Sequence, residues 1–413
     1  SVLNAKLQNF TFSNANERRT IRNLHFCDNR TEEQRLTMIN SDIIDFSIIG
    51  KYDYESIINS LYKLASTHTP SLIANTNTTS NNNCNYIFKG DIKNSHFVSS
   101  LLKLPITINM PSSINGVCND ERDIFTINTT LNDVVINKSK YNTIGFNAES
   151  TPKDLSIRSK IIKPSKKSKN ANDDLNINID CRLFNDTIQN TVTWGNKKSK
   201  RAIKGKLGME VMLNRDENEL LSMKAVINPD SIIQNDSIWY ISGSTVSGNL
   251  GRININGLYL YNDHQHLRID GFIGKSKEDV LNISASNLEV STILDLVKFR
   301  ILKFNGNATG SATASSLLSA PEVNGFFNVD SFKIDNGYLG KTDLNIGWRN
   351  DDKSIFLNAD IHNDTGETTK VNGFLSEAND TIHLDIDANK LNAVFINKMV
   401  KSFMSDIKGT GSG

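Results

Sequence analysis

Near the end of the chain, apolar and polar residues alternate with a period of two. Leu344, Ile346 and Trp348 open the pattern, and Ile355, Leu357, Ala359 and Ile361 continue it. Val371, Gly373 and Leu375 follow, then Ile382, Leu384, Ile386 and Ala388. Successive side chains of a strand point to opposite faces, so this spacing predicts four strands sharing one apolar face. The other face carries Asn345, Asn358, Asp360, Asn372, His383, Asp385 and Asp387. The links RNDDK, HNDTGETTK and SEAND are rich in turn-forming residues, as a meander requires. An apolar sheet face must be covered or folded over. The helical patterns on offer, residues 289–301 and 392–407, are too short for that. The expected fold is mainly β: an elongated curled β-sheet forming a hydrophobic groove, with short interspersed helices. Leu344, Ile346, Trp348, Ile355, Leu357, Ala359, Ile361, Val371, Ile382, Leu384 and Ile386 are its expected lining.

The same text occurs twice. Leu281, Ile283, Ala285, Leu288, Ile293, Val297, Gly306 and Gly310 return as Leu384, Ile386, Ala388, Leu391, Ile396, Val400, Gly409 and Gly413, at a constant offset of 103. A constant offset through strand, helix and glycine positions is an internal repeat. The second copy stops part-way, so the chain is expected to be an internal piece of a longer protein. Within the first copy, Gly306, Ala308, Gly310, Ala312 and Ala314 fall on one strand face. Their lack of bulk lets a strand bend sharply or approach a second backbone closely.

The N-terminal half shows looser versions of this grammar. Phe46, Ile48 and Gly50 alternate as a strand. The stretch DYESIINSLYKLAS then sets Ile57, Ile58, Leu61, Leu64 and Ala65 on one helical face, with Asp53 at the N-cap position. A short helix is expected again over residues 97–104. Residues 1–150 are thus read as groove modules with helices. Residues 151–236 form a β-rich stretch with basic loops, and residues 237–413 carry the repeats. The loops KIIKPSKKSKN and NKKSKR have two readings, solvated loops or contact with an acidic partner or lipid headgroups.

Composition narrows the function classes. Lysines and arginines exceed acidic residues by one, and neither basic loop interleaves aromatics, so no nucleic-acid partner is expected. No apolar run approaches the roughly 18 residues of a membrane-spanning helix. Cys27, Cys84, Cys118 and Cys181 lie far apart without a CxxC pair. Isolated structural thiols are expected, with a Cys84–Cys118 disulfide left open in an oxidising compartment. Asp263, His264 and His266 are the best metal-type group, but they fall at a turn without an evident third ligand. Asp385 and Asp387 alternate with Leu384 and Ile386 as a solvated strand face would. No nucleophile elbow, HExxH, P-loop, dinucleotide fingerprint or EF-hand loop occurs. Neither a catalytic site nor a cofactor is expected.

WYISGSTVSG (239–248), LRIDGFIGKSKEDVLNISASNLEVSTIL (267–294), FNGNATGSATASSLLSAPEVNGFF (304–327) and YLGKTDLNIGW (338–348) together resemble the TamB/AsmA-like translocation and assembly module family of Gram-negative bacteria. The resemblance covers residues 237–413 and extends more weakly to the strand–helix units of the first half. It implies a curled β-groove that carries phospholipid acyl chains across the periplasm and supports outer-membrane protein insertion. It also implies an inner-membrane anchor outside these residues and an outer-membrane barrel as partner. The competing expectation is a structural or adhesive β-rich surface protein whose strands close into a sandwich.

Overall fold

A computed structural model describes the chain apart from residues 14–17, 74–83, 94, 97–98, 100–102, 166–172, 197–202, 217–218, 235–236, 292–303, 335–336, 351–352, 377–380 and 395–406. The chain is mainly β, built of curled antiparallel sheet. Tyr54–His68 is the only full helix among the described residues. The helices expected at 97–104, 289–301 and 392–407 fall largely outside them. Two compact units form, one from residues 1–225 with 231–237 and the other from 226–230 with 238–413.

In the first unit, consecutive strands from Val2–Ser13 to Ile203–Arg215 pair in sequence order. Register sets Phe26, Ile39, Phe46, Gly90, Ile114, Thr129, Phe146, Ser159, Ile179, Val192 and Leu207 side by side in one row. The adjoining row on the opposite face runs Ser47, Lys89, Asn115, Asn128, Asn147, Arg158, Asp180 and Thr191. Alternation that looked local in sequence therefore builds two faces of opposite character. Gly90 is part of the apolar row because Phe46 and Ile114 lean over it. A Cβ there would stand 2.9 Å from Phe46 Cδ2 and 3.0 Å from Ile114 Cγ2.

The helix Tyr54–His68 starts at Asp53 as expected. Asp53 Oδ1 accepts from Ser56 N at 2.8 Å, and Ser56 Oγ accepts from Asp53 N at 3.0 Å, a reciprocal cap. Its buried face differs from expectation only in part: Ile57, Leu64 and Ala65 are half-buried, and Ile57 packs against the buried cluster of Ile48, Tyr52 and Tyr86. Ser56, Ser60 and His68 are buried, whereas Ile58 and Leu61 are 57% and 45% exposed. Polar anchoring explains this. Asp120 Oδ2 accepts from Ser60 Oγ at 2.5 Å and from Cys84 N at 2.8 Å. His68 Nε2 shares a 2.9 Å hydrogen bond with Ser150 Oγ. These buried partners would be left unpaired if the helix rolled its apolar side inward, and each orphaned group costs roughly 1–3 kcal/mol.

In the second unit the rows are longer. Leu260, Leu267, Ala285, Gly310, Phe327, Leu344, Ala359, Val371 and Ile386 are consecutive partners across nine strands, from Arg252–Tyr261 to Thr381–Asp387. Beside them run Leu258, Ile269, Ile283, Ala312, Gly325, Ile346, Leu357, Gly373 and Leu384. Register shifts interrupt the ladders at Ile255/Leu258, Ala285/Leu288, Asn305/Asn307 and Val329/Phe332. Such bulges bend a strand and increase its twist, the local source of curl. The small-residue strand Phe304–Ser315 behaves as its spacing predicts. Ala308, Ala312 and Ala314 are buried, and a Cβ on Gly310 would stand 2.1 Å from the Phe326 carbonyl oxygen. Only glycine permits that approach.

Among the described residues, the pairing around the repeat's bulge recurs in both copies. Ala285 pairs with Gly310, Leu288 with Ala308 and Glu289 with Asn307. At an offset of 103, Ala388 and Gly413 exchange two backbone hydrogen bonds of 2.7 and 2.9 Å, Leu391 pairs with Gly411, and Asn392 with Thr410.

Candidate functional site

The expected lining residues come together in rows rather than in a pocket. Leu344, Ala359, Val371 and Ile386 are consecutive partners, as are Ile346, Leu357, Gly373 and Leu384. Trp348 pairs with Ile355, and Ile382 pairs with Leu375 in the same row. Leu344, Ile346, Trp348, Leu357 and Val371 are half-buried. Ile355, Leu384 and Ile386 are exposed, at 42%, 36% and 39%. This face therefore offers hydrocarbon to its surroundings.

One end of the face is sealed. Ile361, buried, packs with Leu339 and Leu391, and Phe332, Ile334, Val371 and Ala388 close around them. Ile361 lies opposite Thr342 and Thr369, both buried, so the apolar rows stop there. Leu391 reaches this cluster through the second repeat's bulge. The open lining thus runs from Trp348 and Ile355 towards Leu344 and Ile386.

Sequence reading missed the extension of these rows. Alternation in Arg252–Tyr261, His266–Gly274 and Val280–Glu289 was plain, but register across strands is not written in any one strand. The signal that would have found it is the repeat. Leu281, Ile283 and Ala285 must occupy the same face as Leu384, Ile386 and Ala388.

In the first unit, the equivalent face ends on charge. Arg35 grips Asp28 through Nε at 2.8 Å and Nη2 at 2.5 Å, and Thr37 Oγ1 donates to Asp28 Oδ1 at 3.1 Å. The Arg35 guanidinium lies 4.1 Å from the Tyr54 ring centroid, a cation–π contact. The hydrogen bond from Arg35 holds the Asp28 carboxyl below the usual carboxylate range.

The remaining chemistry-bearing residues are held structurally. Cys84 and Cys118 are free, buried in one cluster with Ile48, Tyr52 and Tyr86. Cys84 Sγ donates to Ser56 Oγ at 3.0 Å, and burial pushes the Cys118 thiol up to about 12. His264 stands exposed at its turn, while His266 Nδ1 shares a 2.6 Å hydrogen bond with Tyr259 OH. Asp385 and Asp387 are exposed on the polar face opposite Asn372 and Lys370. No described helix is long and apolar enough to cross a membrane.

What this arrangement can do is adhesive. Hydrophobic and dispersion contacts are non-directional, so a row of half-exposed Leu, Ile and Val holds an apolar chain without fixing its position. No protein-family model matches the chain, and no curated protein or solved structure does either.

Proposed function

We propose that this chain is a stretch of a non-catalytic periplasmic bridge. It carries phospholipids between inner and outer membranes and so supports outer-membrane biogenesis and protein insertion. Acyl chains lie along the apolar rows of the sheet while headgroups remain in water. The observation that carries this reading is the continuity of those rows over nine strands, in which Ala285, Ala312 and Ala359 are buried and the larger aliphatic side chains stay half-buried or exposed. A contiguous apolar surface of that extent marks an interaction site. The sequence resemblance to the TamB/AsmA-like family agrees with it and supplies the membranes at each end.

The test is lipid analysis of the chain purified from the periplasm in gentle detergent, beside a closed β-sandwich handled identically. Several phospholipids retained per chain support the bridge. Lipid no higher than the control means that the apolar face is filled by protein, and the structural or adhesive reading replaces it.

A further inference from the structure

The opposite, polar face of the second unit carries a different kind of site. Tyr259 and Tyr261, two apart on Arg252–Tyr261, stack with ring centroids 4.8 Å apart and planes 17° apart. His266 lies nearly parallel to Tyr259, at 5.9 Å and 4°. Tyr240 joins from the neighbouring strand, 5.5 Å from Tyr261 and tilted by 31°. A concavity of about 510 Å³ opens against Tyr259 and His266 of this stack, bordered also by Gly257, by Arg268 and by Ser284 and Ser286 beside them on the adjoining strand. That volume falls within the roughly 300–1,000 Å³ of small-ligand sites.

The backbone is shaped to leave this space. The register shift between Ile255 and Leu258 puts Gly257 at φ +73°, where a Cβ would meet nothing within 4 Å. The Gly257 N–H donates to Asp270 Oδ1 at 2.7 Å, and Arg268 Nε donates to Asp270 Oδ2 at 2.5 Å. Asp270 is thereby fixed as an acceptor beside a fixed guanidinium. Burial alone would raise its carboxyl, but the bonds from Arg268 and Gly257 hold it below the ordinary value.

We propose that this aromatic shelf binds a neutral saccharide, a segment of glycan chain. Tyrosine rings present a flat apolar face and a polar rim, which suits a sugar ring with its axial C–H groups on one side and hydroxyls around its edge. Arg268, Ser284 and Ser286 supply donors and acceptors for those hydroxyls, and Asp270 holds Arg268 in place. The charge balance selects against the other ligand that stacks on aromatics, single-stranded nucleic acid. Arg268 is neutralised by Asp270, and a phosphate backbone needs a groove of unpaired cations. Apart from Ala285, which borders both, the site lies on the face away from the apolar rows, and it does not depend on the lipid reading.

The full chain is titrated with maltohexaose, cellohexaose and chitohexaose by calorimetry, and with inorganic phosphate as a charged probe. Binding of at least one hexasaccharide at millimolar concentration or below is expected. Tyr259→Ala should weaken it at least tenfold. Ser284→Leu, which fills the concavity from an exposed strand position, should weaken it as much and decides the matter if Tyr259→Ala fails to fold. Absence of binding to all three sugars overturns the proposal. So does binding that the folded variants leave unchanged, or competition by phosphate.

Discussion

Asn287 and Lys390, 103 positions apart, hold the same left-handed backbone, with φ of 51° and 45°. Each is the bulged residue of its repeat. The Asn287 N–H donates to Thr309 Oγ1 and the Lys390 N–H to Ser412 Oγ, both at 2.9 Å, and the two acceptors are again 103 apart. The side chains share nothing, yet the bulge and its hydroxyl partner are retained. The backbone geometry is therefore what the repeat transmits.

Left-handed backbone costs an ordinary L-residue about 1–2 kcal/mol, and a β-branched residue tolerates it worst. Asn287→Val and Lys390→Val should each lower unfolding free energy by about that much, while the glycine variants should stay close to the parent. Urea denaturation of the four variants reads this directly.

Leu357 and Val329 mark the open and the sealed end of one apolar face. Leu357 is half-buried in the expected lining, and Val329 is 2% exposed. Leu357→Asp should strip retained phospholipid while shifting the melting midpoint little, because its carboxylate can reach water. Val329→Asp should unfold the unit, since a lone buried carboxylate is not tolerated. Equal loss of folding in both would mean that the Leu357 end is core.

Asp120 holds the helix Tyr54–His68 to the sheet through Ser60 Oγ and the Cys84 N–H. Asp120→Ala should cost about 2–3 kcal/mol by orphaning both. Hydrogen exchange should show the loss concentrated in the helix amides, with the strands Val280–Glu289 and Phe304–Ser315 unaffected.

Burial pushes the His68 imidazole below its ordinary value of 6.5. The unfolded chain then takes up a proton at a higher pH than the folded one does. The contribution of His68 is steady above pH 6.5 and is lost as pH falls from there towards the folded value. The carboxylates held low, Asp28 by Arg35 and Asp154 chiefly by Thr151 and Arg182, weaken the fold only below the ordinary 3.8. Denaturation curves between pH 7 and 5 should therefore show a fall that His68→Asn flattens.

Much of the fold was legible because a strand's period is local. Leu344 to Ile386 could be assigned to one face from spacing alone, and Asp53 to a cap from its place before the helix. The helix orientation was not legible, because it is set by Asp120 and Ser150, which lie 60 and 82 residues beyond Ser60 and His68. Apolar spacing set Ile57, Ile58, Leu61, Leu64 and Ala65 on one inward face, and distant hydrogen-bond partners turn the helix so that Ile58 and Leu61 are exposed while the other three stay half-buried. Register was likewise hidden, so the sealing of Ile361 by Leu339 and Leu391 could not be separated from the open lining around Leu357. The Tyr259–His266 shelf was read only as a polar turn, since its rings meet across two strands.

The in-register repeat also gives the molecule a unit of growth. Inserting or removing 103 residues between equivalent bulges joins like to like: Leu288 becomes Leu391, its neighbours keep their partners, and no central core has to be redesigned. A sheet of this kind can gain or lose whole divisions by duplication or deletion within its coding sequence.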